Sequence, residues 1–176
     1  MTHPNLEQVL ETFVGESTEL LVEMEQRLLA LEGQPHDEEI LNALFRTVHT
    51  IKGGAGIFGF DPVVDFTHIV ENVLDRLRNG QVILDPALTE LLLRCKDHIG
   101  ALVDTVMKGD AVTAELTRAG GSLKGRLNTY LGKTNLSLSG GPSSLSGETA
   151  IPSRTTALPV EASADVRRVA NQAWHR

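Results

Sequence analysis

Apolar residues recur every three or four positions along most of the chain, the spacing that places them on one face of an α-helix. In residues 5–32 the other positions are rich in glutamate, which predicts a long amphipathic helix. Gly33 and Pro35 are expected to end it, because glycine favours the turn after a helix and proline cannot continue one. Asp37 is a good N-cap for a second helix, which reaches about Phe58.

Two Asp-Pro pairs predict where the third and fourth helices begin. Asp61 is expected to be the N-cap of a third helix over residues 62–78, with proline at its first helical position. Asp85 and the proline after it repeat this pattern for a fourth helix over residues 86–108. Between the two helices, the short segment QVIL at 81–84 is a candidate for a brief extended stretch.

A fifth helix over residues 110–131 keeps the apolar spacing, although three glycines weaken it. Helices joined by short loops pack as antiparallel neighbours, so we predict an all-α fold: an up-down four-helix bundle with a fifth C-terminal helix. From residue 132 the chain is rich in Gly, Ser, Thr and Pro and has no apolar period. We therefore expect residues 1–131 to form one bundle domain and residues 132–176 a flexible, disordered linker to an absent downstream domain.

Composition excludes several classes of protein. The net charge is −7 and no basic cluster is present, which argues against nucleic-acid binding. No apolar run is long enough to span a membrane, and the N-terminus lacks a signal-peptide pattern, so we expect a cytoplasmic protein without membrane insertion. The single cysteine, Cys95, excludes an internal disulfide and is expected in the core.

The segment VHTIKGGAGIFGF contains four glycines, although a glycine inside a helix costs about 1 kcal/mol relative to alanine. On a helix, Lys52, Gly53 and Gly56 follow His49 at i+3, i+4 and i+7 and share its side. Arg46 lies on the N-terminal side of the same surface. We interpret Gly53 and Gly56 as a glycine strip that lets another protein's active site approach the imidazole.

The other two glycines of this segment lie off the strip. We expect Gly54 to serve close helix packing and Gly59 to serve the turn into the third helix. If the second and third helices form an antiparallel hairpin around that turn, His68 and Glu71 come level with His49. The hairpin therefore predicts a carboxylate beside the imidazole.

Such a pair prepares a nucleophile. A neutral imidazole has one ring nitrogen free to attack, and a carboxylate that accepts the other N–H fixes the tautomer and raises basicity. Glu71 would thus prepare Nε2 of His49 to attack phosphorus, while Lys52 stabilises charge on the transferred group. The chain has no GxxxxGK[ST] loop and no other nucleotide-binding pattern. His49 can receive a phosphoryl group, but this chain has no evident means of taking one from ATP unaided.

The motif HTIKGGAGIFGF resembles the phosphotransfer motif of CheA-type chemotaxis histidine kinases, whose first domain is a histidine-phosphotransfer (HPt) bundle. The resemblance covers about residues 5–130. In that family the motif histidine is phosphorylated on Nε2 by the kinase's ATP-binding domain and passes the group to an aspartate of a response-regulator receiver. The resemblance implies that His49 is the phosphoacceptor, Lys52 the motif lysine, His68 a supporting residue and Glu71 the partner of the ring.

The resemblance also implies partners: a CheA-type ATP-binding kinase domain, and CheY-like or CheB-like receivers that dock over Gly53, Gly56 and Arg46. ATP and Mg²⁺ would be used by the absent kinase domain, so no cofactor and no metal are expected in this fragment. The fragment is not a kinase by itself, which leaves its status as an enzyme open. By analogy with the family, it is expected to be a monomer.

Two alternative functions remain open. His49, His68 and Glu71 can supply two imidazoles and a carboxylate to a metal ion. Bundle di-metal centres normally use several inward carboxylates and paired Glu-x-x-His motifs, however, and Lys52 would put a cation beside the metal. The second alternative is an adaptor that binds receivers without passing phosphate, and the intact His/Lys/Glu set argues against it.

Overall fold

The computed structural model describes residues 4–132, with side chains from residue 8 onward. The predicted linker beyond Gly132 therefore lies outside the described residues. Within them the regular structure is entirely helical. The helices are α1 (Pro4–Ala30), α2 (Glu38–Ile57), α3 (Asp61–Arg78), α4 (Pro86–Met107) and α5 (Ala114–Gly132).

The first four helices form a closed ring around one core. α1 packs against α2 and α4, and α3 packs against the same two helices from the other side, which is the arrangement of an up-down bundle. α5 packs against α3 and α4 on the outside of this ring. The predicted all-α bundle with a fifth helix is confirmed. None of the helices over residues 4–132 combines the length and apolar character that a membrane crossing requires.

Two predicted helix starts are confirmed by their caps. The side chain of Asp37 accepts a hydrogen bond from the backbone N–H of Ile40 at 3.0 Å. The side chain of Asp85 accepts one from the N–H of Leu88 at 2.7 Å. Each carboxylate satisfies a backbone donor that the first helical turn leaves free.

The prediction that Asp61 is the N-cap of α3 is wrong. The helix includes Asp61, and Phe60 is its N-cap. The reason lies in the preceding turn: Gly59 adopts a φ of +70°, and the N–H of Phe60 returns to the carbonyl of Ala55 at 2.9 Å. This glycine-based ending of α2 turns the chain so early that α3 begins one residue sooner. The role predicted for Gly59 is thereby confirmed.

The QVIL segment is a bend followed by irregular backbone, not an extended strand. Its Val82 and Leu84 side chains are buried in the core, so packing rather than ladder hydrogen bonds holds it. The burial predicted for Cys95 is confirmed, and this burial raises the pKa of its thiol to about 12.

α5 docks through a contact that the sequence did not predict. His98 of α4 is only 8 % exposed and its ring lies 4.4 Å from the ring of Phe66 of α3, measured between centroids. Gly120 of α5 covers it so closely that a Cβ there would lie 2.6 Å from Nε2 of His98. Burial, assisted by the charge of Lys124, lowers the pKa of His98.

Candidate functional site

His49 lies on the outer surface of α2, where α3 packs beside it. Its side chain is 60 % exposed, whereas the side chain of Glu71 on α3 is only 10 % exposed. Nδ1 of His49 and Oε1 of Glu71 are 2.9 Å apart. The hairpin geometry expected from the sequence is therefore present, and it places the acid behind the imidazole.

Lys52, one turn further along α2, pairs with the other oxygen of the same carboxylate, Oε2 of Glu71. Burial alone would raise the pKa of Glu71, but the hydrogen bonds from Lys52 and His49 outweigh it, so the pKa lies below its ordinary value. Glu71 is therefore ionised at neutral pH. One carboxylate of α3 thus pairs with both His49 and Lys52 of α2.

The ionised carboxylate determines the tautomer of His49. A carboxylate can only accept hydrogen bonds, so the proton of a neutral imidazole must lie on Nδ1, facing Glu71. The lone pair then lies on Nε2. Because the side chain is 60 % exposed, this nitrogen is available to a reactant from solvent or from another protein. The arrangement is that of an oriented nitrogen nucleophile.

The glycine strip is open. A Cβ added at Gly53 or Gly56 would meet nothing within 4 Å, and both glycines are exposed. Gly54 behaves differently, because a Cβ there would lie 2.5 Å from Cε2 of Phe13 on α1. The structure therefore separates the glycines as the helical spacing predicted: two leave the surface beside His49 bare, and one allows α1 and α2 to pack closely.

Two further residues of the site were not anticipated from the sequence. The ring of Phe45, one turn before His49 on α2, is stacked on the imidazole with centroids 5.9 Å apart and planes at 18°. The guanidinium carbon of Arg78, the last residue of α3, lies 3.9 Å from the centroid of the Phe45 ring. The spacing of Phe45 and His49 at i and i+4 was an available signal.

Two predicted site residues, His68 and Arg46, lie outside the group that His49, Lys52 and Glu71 form. His68 is exposed on α3 and makes no side-chain hydrogen bond to His49, Lys52 or Glu71. Arg46 is exposed on α2, three residues before His49, at the edge of a shallow groove between α1 and α2. These two residues lie around the site rather than in it.

The alternative metal site is not assembled in this part of the chain. Among residues 4–132 no group of three or more His, Cys, Asp or Glu side chains is close enough to hold an ion. Both oxygens of the Glu71 carboxylate are also paired already, Oε1 with His49 and Oε2 with Lys52. The geometry therefore favours the nucleophile over the ligand set.

Comparison with known proteins gives a consistent result. The family model described as "Hpt domain" matches residues 8–121, which is more than half of this chain. A curated relative, "Chemotaxis protein CheA" of Salmonella typhimurium, is 46 % identical over 94 residues, which cover 53 % of this chain and 14 % of the relative. The chain spans 14–19 % of the length of the first curated relatives that it matches.

Solved structures share the bundle. The phosphorylated P1 domain of CheA3 in complex with CheY6 from R. sphaeroides superposes with a TM-score of 0.62 at 25 % identity, covering 70 % of this chain and 98 % of that chain. The CheA phosphotransferase domain from Thermotoga maritima is 36 % identical with a TM-score of 0.54, covering 57 % and 95 %. The likeness extends over nearly the whole of each solved domain.

Proposed function

This chain belongs to the Hpt domain family, and on that premise we propose that Nε2 of His49 accepts a phosphoryl group and passes it to an aspartate of a response-regulator receiver. The observation that carries the proposal is the 2.9 Å hydrogen bond between Nδ1 of His49 and Glu71, on an imidazole that is 60 % exposed. The chain would be the phosphoacceptor and phosphodonor domain of a two-component, chemotaxis-type signalling kinase.

In the first step, the Nε2 lone pair attacks the γ-phosphorus of ATP. The P–N bond forms while the bond to the bridging oxygen breaks, and ADP leaves with that electron pair. The ring of His49 keeps its Nδ1 proton and becomes positively charged, and the carboxylate of Glu71 stabilises this charge at 2.9 Å from Nδ1. Glu71 therefore favours the phosphorylated ring as well as the correct tautomer.

In the second step, a carboxylate oxygen of the receiver aspartate attacks the same phosphorus. The P–N bond breaks, its electron pair returns to Nε2, and His49 is again a neutral imidazole. Because the nitrogen is restored with its proton still on Nδ1, the site is ready for another cycle without a change of tautomer.

Lys52 and His68 are proposed to assist these steps. The ammonium group of Lys52 is held by Glu71 one turn from His49, where it supplies positive charge for the phosphoryl oxygens. His68 is exposed three residues before Glu71 on α3, and we propose that its side chain rotates to support the phosphorylated ring.

The glycine strip and Arg46 form the proposed docking surface. The exposed backbone at Gly53 and Gly56 allows a partner's active site to reach Nε2, and Arg46 offers a cation to the acidic phosphoacceptor of a receiver. The R. sphaeroides P1 domain described above was solved with CheY6. By extension, we propose CheY-like or CheB-like receivers and a CheA-type kinase domain as partners of this chain.

ATP and Mg²⁺ are proposed to bind to the kinase domain, so this chain would act as its substrate and need no cofactor of its own. We place the reaction in the cytoplasm, because that is where ATP is available. As a monomer, the bundle would present one phosphorylatable face to each partner in turn.

The test is phosphorylation of the full 176-residue chain by a CheA-type kinase core with radiolabelled ATP. We expect an acid-labile label in the wild type and in His36→Gln, which changes an exposed loop histidine, and none in His49→Gln. Label that persists in His49→Gln would refute the assignment. A wild type that binds a receiver but takes up no label would instead be the adaptor considered above.

A further inference from the structure

The hydrogen bond to Glu71 fixes one atom of the His49 ring but leaves its tilt weakly determined. A 2.9 Å bond tolerates a broad range of angles, and the side chain is 60 % exposed, so few neighbours restrain it. The face of the ring is held by Phe45, whose plane lies within 18° of the imidazole at a centroid distance of 5.9 Å. This falls within the range of offset aromatic stacking.

Phe45 is itself held from α3. The guanidinium carbon of Arg78 lies 3.9 Å from the centroid of the Phe45 ring, a cation–π contact. Arg78 is oriented in turn by two hydrogen bonds to Oδ1 of Asp75, at 2.9 and 2.6 Å. A continuous series of contacts thus runs from Asp75 through Arg78 and Phe45 to the face of the His49 ring.

We propose that Phe45 is a positioning residue for phosphoryl transfer, which sets the tilt of the His49 ring, and that Arg78 holds Phe45 in place. The inference rests on the proposed function and adds two residues to it. Phe45 stacks on the ring and takes no part in the bonds that form and break, so it acts only through the direction in which Nε2 points. In-line attack on phosphorus depends on this direction, and a displacement of about 1 Å can cost on the order of a hundredfold in rate.

The experiment compares Phe45→Leu, which removes the aromatic face but keeps an apolar side chain, with Phe45→Tyr, which restores an aromatic ring. NMR of the full chain measures the ring-current shifts of the His49 ring protons, and kinetics with the kinase core measure kcat and KM. In Phe45→Leu we expect the ring-current shifts to be lost and kcat to fall about fivefold to tenfold at unchanged KM. Phe45→Tyr should retain both, and Arg78→Gln should give intermediate values.

A wild-type kcat in Phe45→Leu would overturn the proposal, because the ring of His49 would then react equally well without the aromatic face. A fall in kcat that Phe45→Tyr does not rescue would also overturn it, because the loss would then reflect packing rather than an aromatic face. Failure of the proposed function has a different result: the wild type itself would take up no label at His49, whatever residue 45 is.

Discussion

Two histidines of this bundle lie beside glycines, and the glycines have opposite effects. Beside His49 on α2, Gly53 and Gly56 leave open space, and the imidazole is 60 % exposed. Beside His98 on α4, Gly120 leaves room that the imidazole itself fills, and the residue is 8 % exposed. The absence of a side chain thus gives access at one site and close packing at the other.

The electrostatic surroundings differ in the same way. His49 faces the ionised carboxylate of Glu71, which accepts a hydrogen bond from the Nδ1–H of the ring and leaves Nε2 free. His98 faces the Phe66 ring and the charge of Lys124, and no carboxylate in residues 4–132 hydrogen-bonds to it. Of these two histidines, His49 alone combines an exposed side chain with a hydrogen-bonded carboxylate, the combination that we propose makes it the nucleophile.

The largest expected effect comes from removing the acid. Glu71→Ala should slow phosphorylation of His49 by about 10–100-fold, the usual consequence of losing the partner that orients a functional imidazole. The helical CD spectrum should be unchanged. Glu90→Ala on α4 is the matched control, because Glu90 is an exposed glutamate that pairs with Arg94, away from His49. Equal rates in the two variants would remove Glu71 from the mechanism.

Substitution of an exposed glycine of the strip and substitution of the packed Gly54 should have different effects on receiver binding and on stability. Gly53→Leu should weaken binding of a CheY-like receiver at least about tenfold by filling the docking surface, while stabilising α2 by about 0.5–1 kcal/mol. Gly54→Ala should leave receiver binding unchanged and destabilise the protein, because its Cβ would collide with Phe13. Calorimetric titration and chemical denaturation measure the two effects. Normal receiver binding by Gly53→Leu would contradict the docking role of the strip.

The glycine at His98 offers a similar test on α5. Gly120→Ala should destabilise the protein by about 1–2 kcal/mol, because the new Cβ would lie 2.6 Å from Nε2 of His98 and would force the imidazole or α5 to move. Gly121→Ala, at the exposed neighbouring position with open space, should instead stabilise it by about 0.5–1 kcal/mol. Urea unfolding curves compare them, and a Gly120→Ala variant as stable as Gly121→Ala would disprove the close docking of α5.

The smallest expected effect is on the pH dependence of stability. The pKa of His98 is lowered from its ordinary value of 6.5, so between the folded and unfolded pKa values the unfolded chain binds more protons. The contribution of His98 to the free energy of unfolding is therefore fully present above pH 6.5 and is lost as the pH falls through the pKa of the folded state. The free energy of unfolding should therefore decrease less in His98→Leu than in the wild type between about pH 8 and about pH 5. Identical slopes would mean that His98 titrates normally.

The sequence was sufficient for features that depend on helical spacing. The i+3, i+4 and i+7 positions after His49 identified the exposed face of α2, and the hairpin around Gly59 brought Glu71 level with it. Asp37 and Asp85 were readable as caps because each acts on its own helix.

The features that were missed depend on side chains meeting across helices. The contact of Arg78 with Phe45 joins the last turn of α3 to α2, and its geometry depends on rotamers that spacing does not specify. Burial of His98 requires α5 to dock with Gly120 against it, although the position of His98 between Cys95 and Leu102 on the apolar stripe of α4 was a usable signal. Asp61 was displaced as a cap by the turn that Gly59 makes.

We propose that Glu71 keeps the proton on Nδ1 of His49 and leaves Nε2 to react. Nitrogen-15 NMR of the imidazole in the full chain, before and after phosphorylation by the kinase core, tests it directly. We expect an Nδ1–H tautomer in the free protein and, after reaction, a one-bond coupling between phosphorus and Nε2. A proton on Nε2 in the free protein, or phosphorus bonded to Nδ1, would contradict it.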